Sequence, residues 1–212
     1  MCALETTKSQ AGDASSVVER SVWSFHQLIE ERLARALESG YGARMYFEMF
    51  GQIKKILGQL EKWLEAAGAH ATAKSFDPSV YLTLRLAPDQ FPFARQVQTA
   101  CDTAKLAAAR LSGKEAPKHA DNEQSLEDLR ARVKSVLEYL NGFSAADFEG
   151  AATRHVTQPR WEGKYMLGAD YFLEHALPNF FFHTTHAYAL LRHNGVSLGK
   201  RDFLGPLSMH AP

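Results

Sequence analysis

Apolar residues recur at spacings of three and four along most of the chain, which is the period of an amphipathic α-helix. Two strong stripes of this kind run through residues 43–68 and 125–142. Further helices are predicted over about residues 15–40, 92–111 and 169–193, and each stops at or shortly before a glycine. The pattern therefore predicts an all-α chain with four core helices and one extra helix in front.

One segment departs from the helical period. The stretch "RHVTQPRWEGKYMLG", just before the last helix, favours a small β-hairpin that turns at Glu162-Gly163. Three of the connections between helices are too long for tight turns. The order of the helices is therefore not expected to be a simple up-down series.

Composition narrows the class of protein. The chain has 212 residues, of which 45% are hydrophobic and 23% charged, an ordinary composition for a soluble domain. Its formal net charge is zero, so nothing favours nucleic acid or an anionic membrane as a partner. No apolar run could span a bilayer, and the start lacks the features of a secretory signal. With two cysteines, Cys2 and Cys101, and no CxxC pair, a cytoplasmic location is expected.

The least ordinary segment is "HALPNFFFHTTHAY" in the last predicted helix. On a helical wheel with His175 at an angle of zero, Asn179 lies at about 40°, His183 at about 80° and His186 at about 20°. These polar groups share one face of a helix that is otherwise apolar, which predicts a central helix with its polar stripe towards solvent or a pocket. Pro178 interrupts the stripe and is expected to kink the helix and open a notch beside it.

The stripe raises a metal hypothesis. Two histidines three residues apart, such as His183 and His186, can reach one ion, and neutral imidazole suits Zn, Ni or Fe. A third ligand would come from the helix over residues 92–111, where Gln98 and Asp102 lie on a polar stripe and Asp102 is the natural carboxylate. The alternative is that these histidines are partly exposed or hydrogen-bonded within the core, because their spacing has no fixed flanking motif.

The stretches "RLAPDQFPFARQVQTACDTAK" and "HALPNFFFHTTHAYALLRHNGVSLGKRDFLG" resemble the DinB/YfiT-like superfamily, in its uncharacterised, domain-of-unknown-function branch. The resemblance implies a DinB-like four-helix bundle, usually self-associating, over residues 41–205. It leaves residues 1–40 as an N-terminal extension and residues 206–212 as a tail. Better-known branches hold a divalent metal with three histidines from two helices.

The chain departs from that metal pattern. No histidine occurs in "FPFARQVQTACDTAK", and the last helix has H-x-x-H in place of the usual H-x-x-x-H. The full triad therefore does not carry over, and Gln96, Gln98 or Asp102 occupies the region of the missing ligand. His186 stands where relatives are expected to have a small hydroxyl residue.

The leading functional hypothesis is a small-molecule enzyme working in a pocket between the second and last bundle helices. Its chemistry would be an isomerisation, cyclisation or dehydration by histidine acid–base catalysis, or would use a divalent metal such as Zn, Ni, Mn or Fe. The predicted catalytic residues are His183, His186, Asp102 and Gln98, and the same His183, His186 and Asp102 would bind the metal. The predicted substrate-binding residues are His175, Asn179, Arg85, Gln96, Phe182, Tyr188 and Arg192.

Two alternatives stay open. In the first, the chain is a non-catalytic binding protein whose aromatic residues hold an apolar small molecule, and the histidines only satisfy hydrogen bonds. In the second, the extra N-terminal helix has a structural role, packing on its own bundle or on a second subunit. A homodimer is expected in either case, with a small molecule and neither nucleic acid nor membrane as the partner.

Overall fold

Four long helices form the body of the molecule. The computed structural model describes residues 41–211, so the helix predicted over residues 15–40 lies outside the described residues. The first three are α1 (Tyr41–Ala73), α2 (Phe93–Ser112) and α3 (Leu126–Asn141). The fourth, α4, runs without a break through Gly168–Asp170, Tyr171–Ala176 and Leu177–His193. A short helix, α5 (Lys200–Leu204), follows it. The predicted all-α bundle is confirmed.

The connections contain short 3₁₀ helices and one hairpin. The 3₁₀ turns are Pro78–Thr83, Ala145–Phe148, Ala151–Thr153 and Pro159–Trp161, and the strands are β1 (His155–Thr157) and β2 (Tyr165–Leu167). The strands are antiparallel, with Val156 opposite Met166. Glu162 and Gly163 both have positive φ, at 52° and 85°. The hairpin predicted to turn at these two residues is confirmed.

The apolar stripes of α1 and α3 are buried, as their helical period predicts. Burying one large aliphatic side chain contributes about 1.5–3 kcal/mol, so these two stripes account for much of the stabilisation of the core. Their fully or almost fully buried members are Tyr46, Phe50, Ile53, Leu57, Leu60, Trp63 and Leu64 from α1, and Leu129, Val133, Val136 and Leu140 from α3.

α2 is the most enclosed of the four helices. Its buried face is built largely from small residues, among them Ala100, Ala104 and Ala108. Small side chains let another helix lie close along it, and that helix is α4. The two run antiparallel, because the start of α2 meets the end of α4 through Gln96 and His183, while its end meets the start of α4.

α4 is less buried than its sequence predicts. Its outer face exposes Leu173, at 61% of its full accessible surface, together with Phe181 and Phe182. The prediction of a central helix is therefore wrong for this face, and α2 occupies the more central position. Within residues 41–211, no helix is long and apolar enough to cross a membrane.

Pro178 is accommodated by a change of helix type. The six residues Tyr171–Ala176 form a π-helical turn, and the N–H of Leu177 donates to the carbonyl of Phe172. A proline clashes with the carbonyl four residues before it in a regular α-helix, and the wider π turn moves that carbonyl away. The predicted disturbance therefore takes the form of a π turn that ends just before the proline.

Candidate functional site

Polar side chains face each other in pairs along the contact between α2 and α4. Because the helices are antiparallel, residues that ascend along α2 meet residues that descend along α4. We call this row the α2–α4 polar seam. It consists of Gln96 with His183, Thr103 with Asn179, and Arg110 with Tyr171, and it is extended by Gln90, in the loop before α2, with His186.

His183 is the most enclosed histidine of the seam, with 6% of its surface exposed. Its Nδ1 lies 2.7 Å from Oε1 of Gln96. The Gln96 amide is oriented by its own Nε2, which donates to the carbonyl of Phe91 at 3.1 Å. Since Oε1 can only accept, Nδ1 of His183 carries the proton and donates it. Nε2 is therefore the unprotonated nitrogen, and its lone pair accepts no hydrogen bond from residues 42–211.

The surroundings of His183 favour this neutral form. Burial is the largest cause that lowers the pKa of His183, and together with the charges of His186 and Arg95 it brings that pKa to about 4. An imidazole with so low a pKa is uncharged at neutral pH. His183 can therefore accept a proton at Nε2, but it does not hold one in the resting protein.

Two exposed aromatic rings flank His183. The ring of Phe91 is nearly parallel to the imidazole, with centroids 6.2 Å apart and 14° between the planes. The ring of Phe182 meets it edge-on at 5.2 Å. Phe91 and Phe182 remain 50% and 52% exposed. The approach to His183 is therefore lined with apolar surface that still contacts water.

His186 has both ring nitrogens engaged. Its Nδ1 donates to the carbonyl of Phe182, one helical turn before it, at 2.7 Å. Its Nε2 then accepts from the side-chain amide of Gln90 at 3.3 Å. Asn179 is engaged as well, since its amide donates to Thr103 at 2.6 Å. These contacts hold the side chains in the seam beside His183.

Asp102 and Gln98, predicted as catalytic partners of His183, lie on another side of α2. Asp102 follows Gln96 by six residues, which rotates it by about 240° around the helix. It faces α3, where its carboxylate pairs with Arg132 at 2.7 Å and with Lys105 at 2.8 Å. Gln98 also turns that way and donates to Glu123 at 2.7 Å. The structure therefore does not bring either residue to His183.

These residues belong to a buried ion network that sequence reasoning missed. At its centre is Arg132, whose side chain is only 1% exposed and which also pairs with Asp121 at 2.6 Å and Glu123 at 2.8 Å. Burial is the largest single influence on Glu123 and opposes its ionisation, but the hydrogen bonds from Arg132, Gln98 and the backbone, with the charge of Arg132, together outweigh it and hold the pKa of that carboxyl below its usual value. The network ties the loop before α3 to α2, which is a structural role.

Three predicted substrate-binding residues make no hydrogen bond or ring contact with His183. Arg85 donates to the carbonyl of Gln90 in the loop before α2. The ring of Tyr188 packs edge-on against Trp63 at 5.5 Å, on the side of α4 that faces α1. Arg192 is exposed in the last turn of α4. Of the predicted set, Gln96, His183, His186, Asn179 and Phe182 are brought together.

His175 is separated from that group. It lies in the π turn, eight residues before His183, and contacts the hairpin. Its Nε2 lies 2.5 Å from the guanidinium of Arg160, and its ring stacks on Tyr171 with centroids 5.4 Å apart.

The side chains around His183 do not fit a divalent metal. Within residues 41–211, no three histidine, cysteine, aspartate or glutamate side chains converge on a common position. The predicted set fails because Asp102 is engaged by Arg132 and Lys105, and because His186 uses both nitrogens within the seam. A protein site for Zn needs at least three such ligands.

Comparisons with known proteins agree on the family and the fold. Residues 45–204 match the model of the family "Domain of unknown function (DUF1993)". Among solved structures, the chain is similar to a DinB family member protein from Shewanella denitrificans, with 50% sequence identity and a TM-score of 0.80. That similarity covers 82% of this chain and 100% of the other. No curated protein matches the chain significantly.

Proposed function

The chain belongs to the DUF1993 family, a DinB-like branch of helical bundles, and from that starting point we propose that it is a small-molecule enzyme with His183 as its general base. One observation carries the proposal. A buried, neutral imidazole is oriented through Nδ1 by Gln96, which leaves Nε2 free to take a proton. A base positioned in this way by a second side chain is the usual arrangement of acid–base catalysis.

The orientation of His183 suits transfer of a proton to Nε2, but a pKa of about 4 makes the ring a weaker base than a solvated imidazole, so the substrate would need a correspondingly acidic C–H group. As Nε2 takes the proton, Nδ1 keeps its hydrogen bond to Gln96, so the ring need not rotate. The guanidinium of Arg95 lies over the ring of Phe91 at 5.9 Å, but it is already ion-paired with Asp121 at 2.5 Å, so it would stabilise negative charge on the substrate only weakly. The two exposed rings beside His183 would hold the apolar part of the substrate. An isomerisation, a dehydration or a cyclisation could each begin with this step.

Deuterium exchange tests the base without knowledge of the natural substrate. The full chain would be incubated in D₂O with a panel of small ketones, keto acids and thioesters. Loss of the α-proton would be followed by NMR. We expect exchange of at least one carbon acid above the buffer rate, and a fall of about 10²–10⁴-fold in His183→Asn, the range that a general base contributes.

His193→Asn is the matched control, because His193 lies on the same helix and is exposed at its end. It should exchange at the wild-type rate. Equal exchange in wild type and His183→Asn would refute the assignment of His183 as the base.

The exposed aromatic rings favour a second candidate function. Phe91 and Phe182 flank His183 without being covered, as in a site that holds an apolar small molecule without transforming it. In that case Phe91→Ser and Phe182→Ser should weaken binding of an apolar fluorescent dye, whereas His183→Asn should leave it unchanged. If His183→Asn removes exchange and spares dye binding, the site both binds and catalyses.

A further inference from the structure

A cleft lies at the other end of the seam, between the hairpin and the π turn of α4. It has a volume of about 580 Å³. We call it the hairpin cleft. His175 is about 12 Å from His183 along the helix axis, at 1.5 Å per residue, and none of the residues around His183 lines the cleft. It is lined by Arg160, Trp161, Glu162, Lys164, Tyr165, Met166, Glu174 and His175.

His175 forms part of the cleft wall in a defined protonation state. An arginine only donates hydrogen bonds, so Nε2 of His175 accepts from Arg160, and Nδ1 carries the proton. Burial and the charges of Arg160 and Arg110 lower the pKa of His175, which agrees with a neutral ring. Nδ1 is itself buried and has no hydrogen-bond partner among residues 42–211.

The unsatisfied groups here are all donors. The buried one is Nδ1 of His175, which has no partner in the described part of the chain. The guanidinium of Arg160 has no carboxylate within ion-pairing distance among the same residues, so most of its N–H groups are available. Nδ1 of His175 is covered by protein, so an acceptor bound in the cleft would be held by the exposed N–H groups of Arg160.

The walls of the cleft supply flat apolar surface. Trp161 meets the ring of His175 edge-on at 5.7 Å, and Tyr165 stacks on His155 at 4.0 Å while remaining exposed to the cleft. π turns such as the one that carries His175 occur frequently at functional sites. Glu162 and Glu174 also line the cleft and balance the charges of Arg160 and Lys164, so the formally neutral lining favours a singly charged anion over a multiply charged one such as a phosphate.

We propose that the hairpin cleft binds a small aromatic carboxylate. The carboxylate accepts from the guanidinium of Arg160, in the two-pronged geometry that this pair favours. The aromatic ring of the ligand lies against the side chains of Trp161 and Tyr165. This binding site is independent of catalysis at His183, and either function can hold without the other.

Calorimetric titration of the full chain with 1-naphthoate tests the site. We expect saturable binding, with affinity lowered roughly tenfold or more in Arg160→Gln, because a charge-assisted pair is lost. Arg201→Gln is the matched control, since Arg201 is also exposed but lies in α5, and it should bind like the wild type. The neutral 1-naphthamide has the same shape and should also bind at least tenfold more weakly than 1-naphthoate.

NMR of the backbone amides places the ligand. On addition of 1-naphthoate, resonances of residues 158–166 and of the π turn should shift, and Tyr165→Ser should weaken binding. Arg160 and Tyr165 are exposed, so neither change should unfold the protein, and circular dichroism will check this. The proposal is overturned if 1-naphthoate does not bind at millimolar concentration. Equal affinities of Arg160→Gln and Arg201→Gln, or shifts confined to other residues, would also overturn it.

Discussion

Replacing His183 with asparagine should change how the stability of the protein depends on pH. The amide N–H of asparagine can take the position of Nδ1 and keep the hydrogen bond to Gln96, but asparagine does not titrate. The pKa of His183 is about 4 in the folded protein, against 6.5 for a solvated histidine. The unfolded chain therefore binds a proton here between pH 6.5 and 4 that the folded protein does not bind. Acidification through that window favours unfolding.

The size of the effect follows from the two pKa values. Each tenfold difference in proton affinity corresponds to about 1.4 kcal/mol, so His183 destabilises the folded wild type by about 3 kcal/mol between pH 6.5 and pH 4. Other groups also titrate in this range, but they are common to both proteins. The difference in unfolding free energy between wild type and His183→Asn removes their contributions.

Urea unfolding of the two proteins at intervals from pH 4 to pH 8 measures that difference. The stability of wild type relative to His183→Asn should be constant above pH 6.5 and should fall by about 3 kcal/mol towards pH 4. His193→Asn, at the exposed end of the same helix, is measured alongside as the control for loss of a histidine side chain. A difference between wild type and His183→Asn that does not vary with pH would refute the buried, neutral imidazole.

Three further predictions concern the fold and its surface, and the first two are read by urea unfolding. Arg132→Met leaves three carboxylates without their buried cation and should cost about 3–5 kcal/mol at pH 7, with a smaller loss at pH 4. Gly168→Ala should destabilise the folded protein by about 1–3 kcal/mol, because a Cβ there would lie 1.9 Å from a carbonyl oxygen of a neighbouring loop. Gly58→Ala, with open space around the new Cβ, should stabilise it by about 0.5–1 kcal/mol. If the exposed face of α4 supports the expected homodimer, the double change Leu173→Gln and Phe181→Gln should give a monomer by light scattering, and an unchanged mass would exclude that face.

Much of the bundle could be predicted because burial follows helical periodicity. The stripes of α1 and α3 both face the hydrophobic core, and the residues that contact it are apolar and occur at every third or fourth position. The hairpin was predictable for a local reason, since Glu162-Gly163 provides the left-handed turn that joins two short strands. The resemblance to the DinB-like superfamily, carried by motifs in α2 and α4, is confirmed by the family model and by the related structure.

The candidate site could be predicted only in part. The polar face of α4 correctly placed His183 and His186 side by side, because helical geometry fixes which residues share a face. It could not indicate which side of α2 they meet, and Asp102 was therefore assigned to the wrong neighbour. A buried arginine such as Arg132 is not distinguishable by spacing from an exposed one on an amphipathic helix. The ion network and the partner of Asp102 follow only from how three helices pack.

The π turn was also beyond sequence periodicity. Pro178 indicates that the regular hydrogen bonding must break, but it does not indicate whether the helix bends or inserts a residue. In this chain the insertion turns His175 towards the hairpin and away from His183. The helical wheel, which assumes an unbroken period, therefore placed His175 in the wrong group.

Carbethoxylation of the folded, full chain with diethylpyrocarbonate tests the central claim most directly. The reagent acylates an unprotonated imidazole nitrogen, and mass spectrometry of peptides identifies which histidine has reacted. If His183 presents a free Nε2 with a pKa near 4, it should react in the native protein at a rate that is constant from pH 8 down to pH 5. No modification of His183 before unfolding, or a rate that halves near pH 6.5, would contradict the oriented, neutral base on which the proposed function depends.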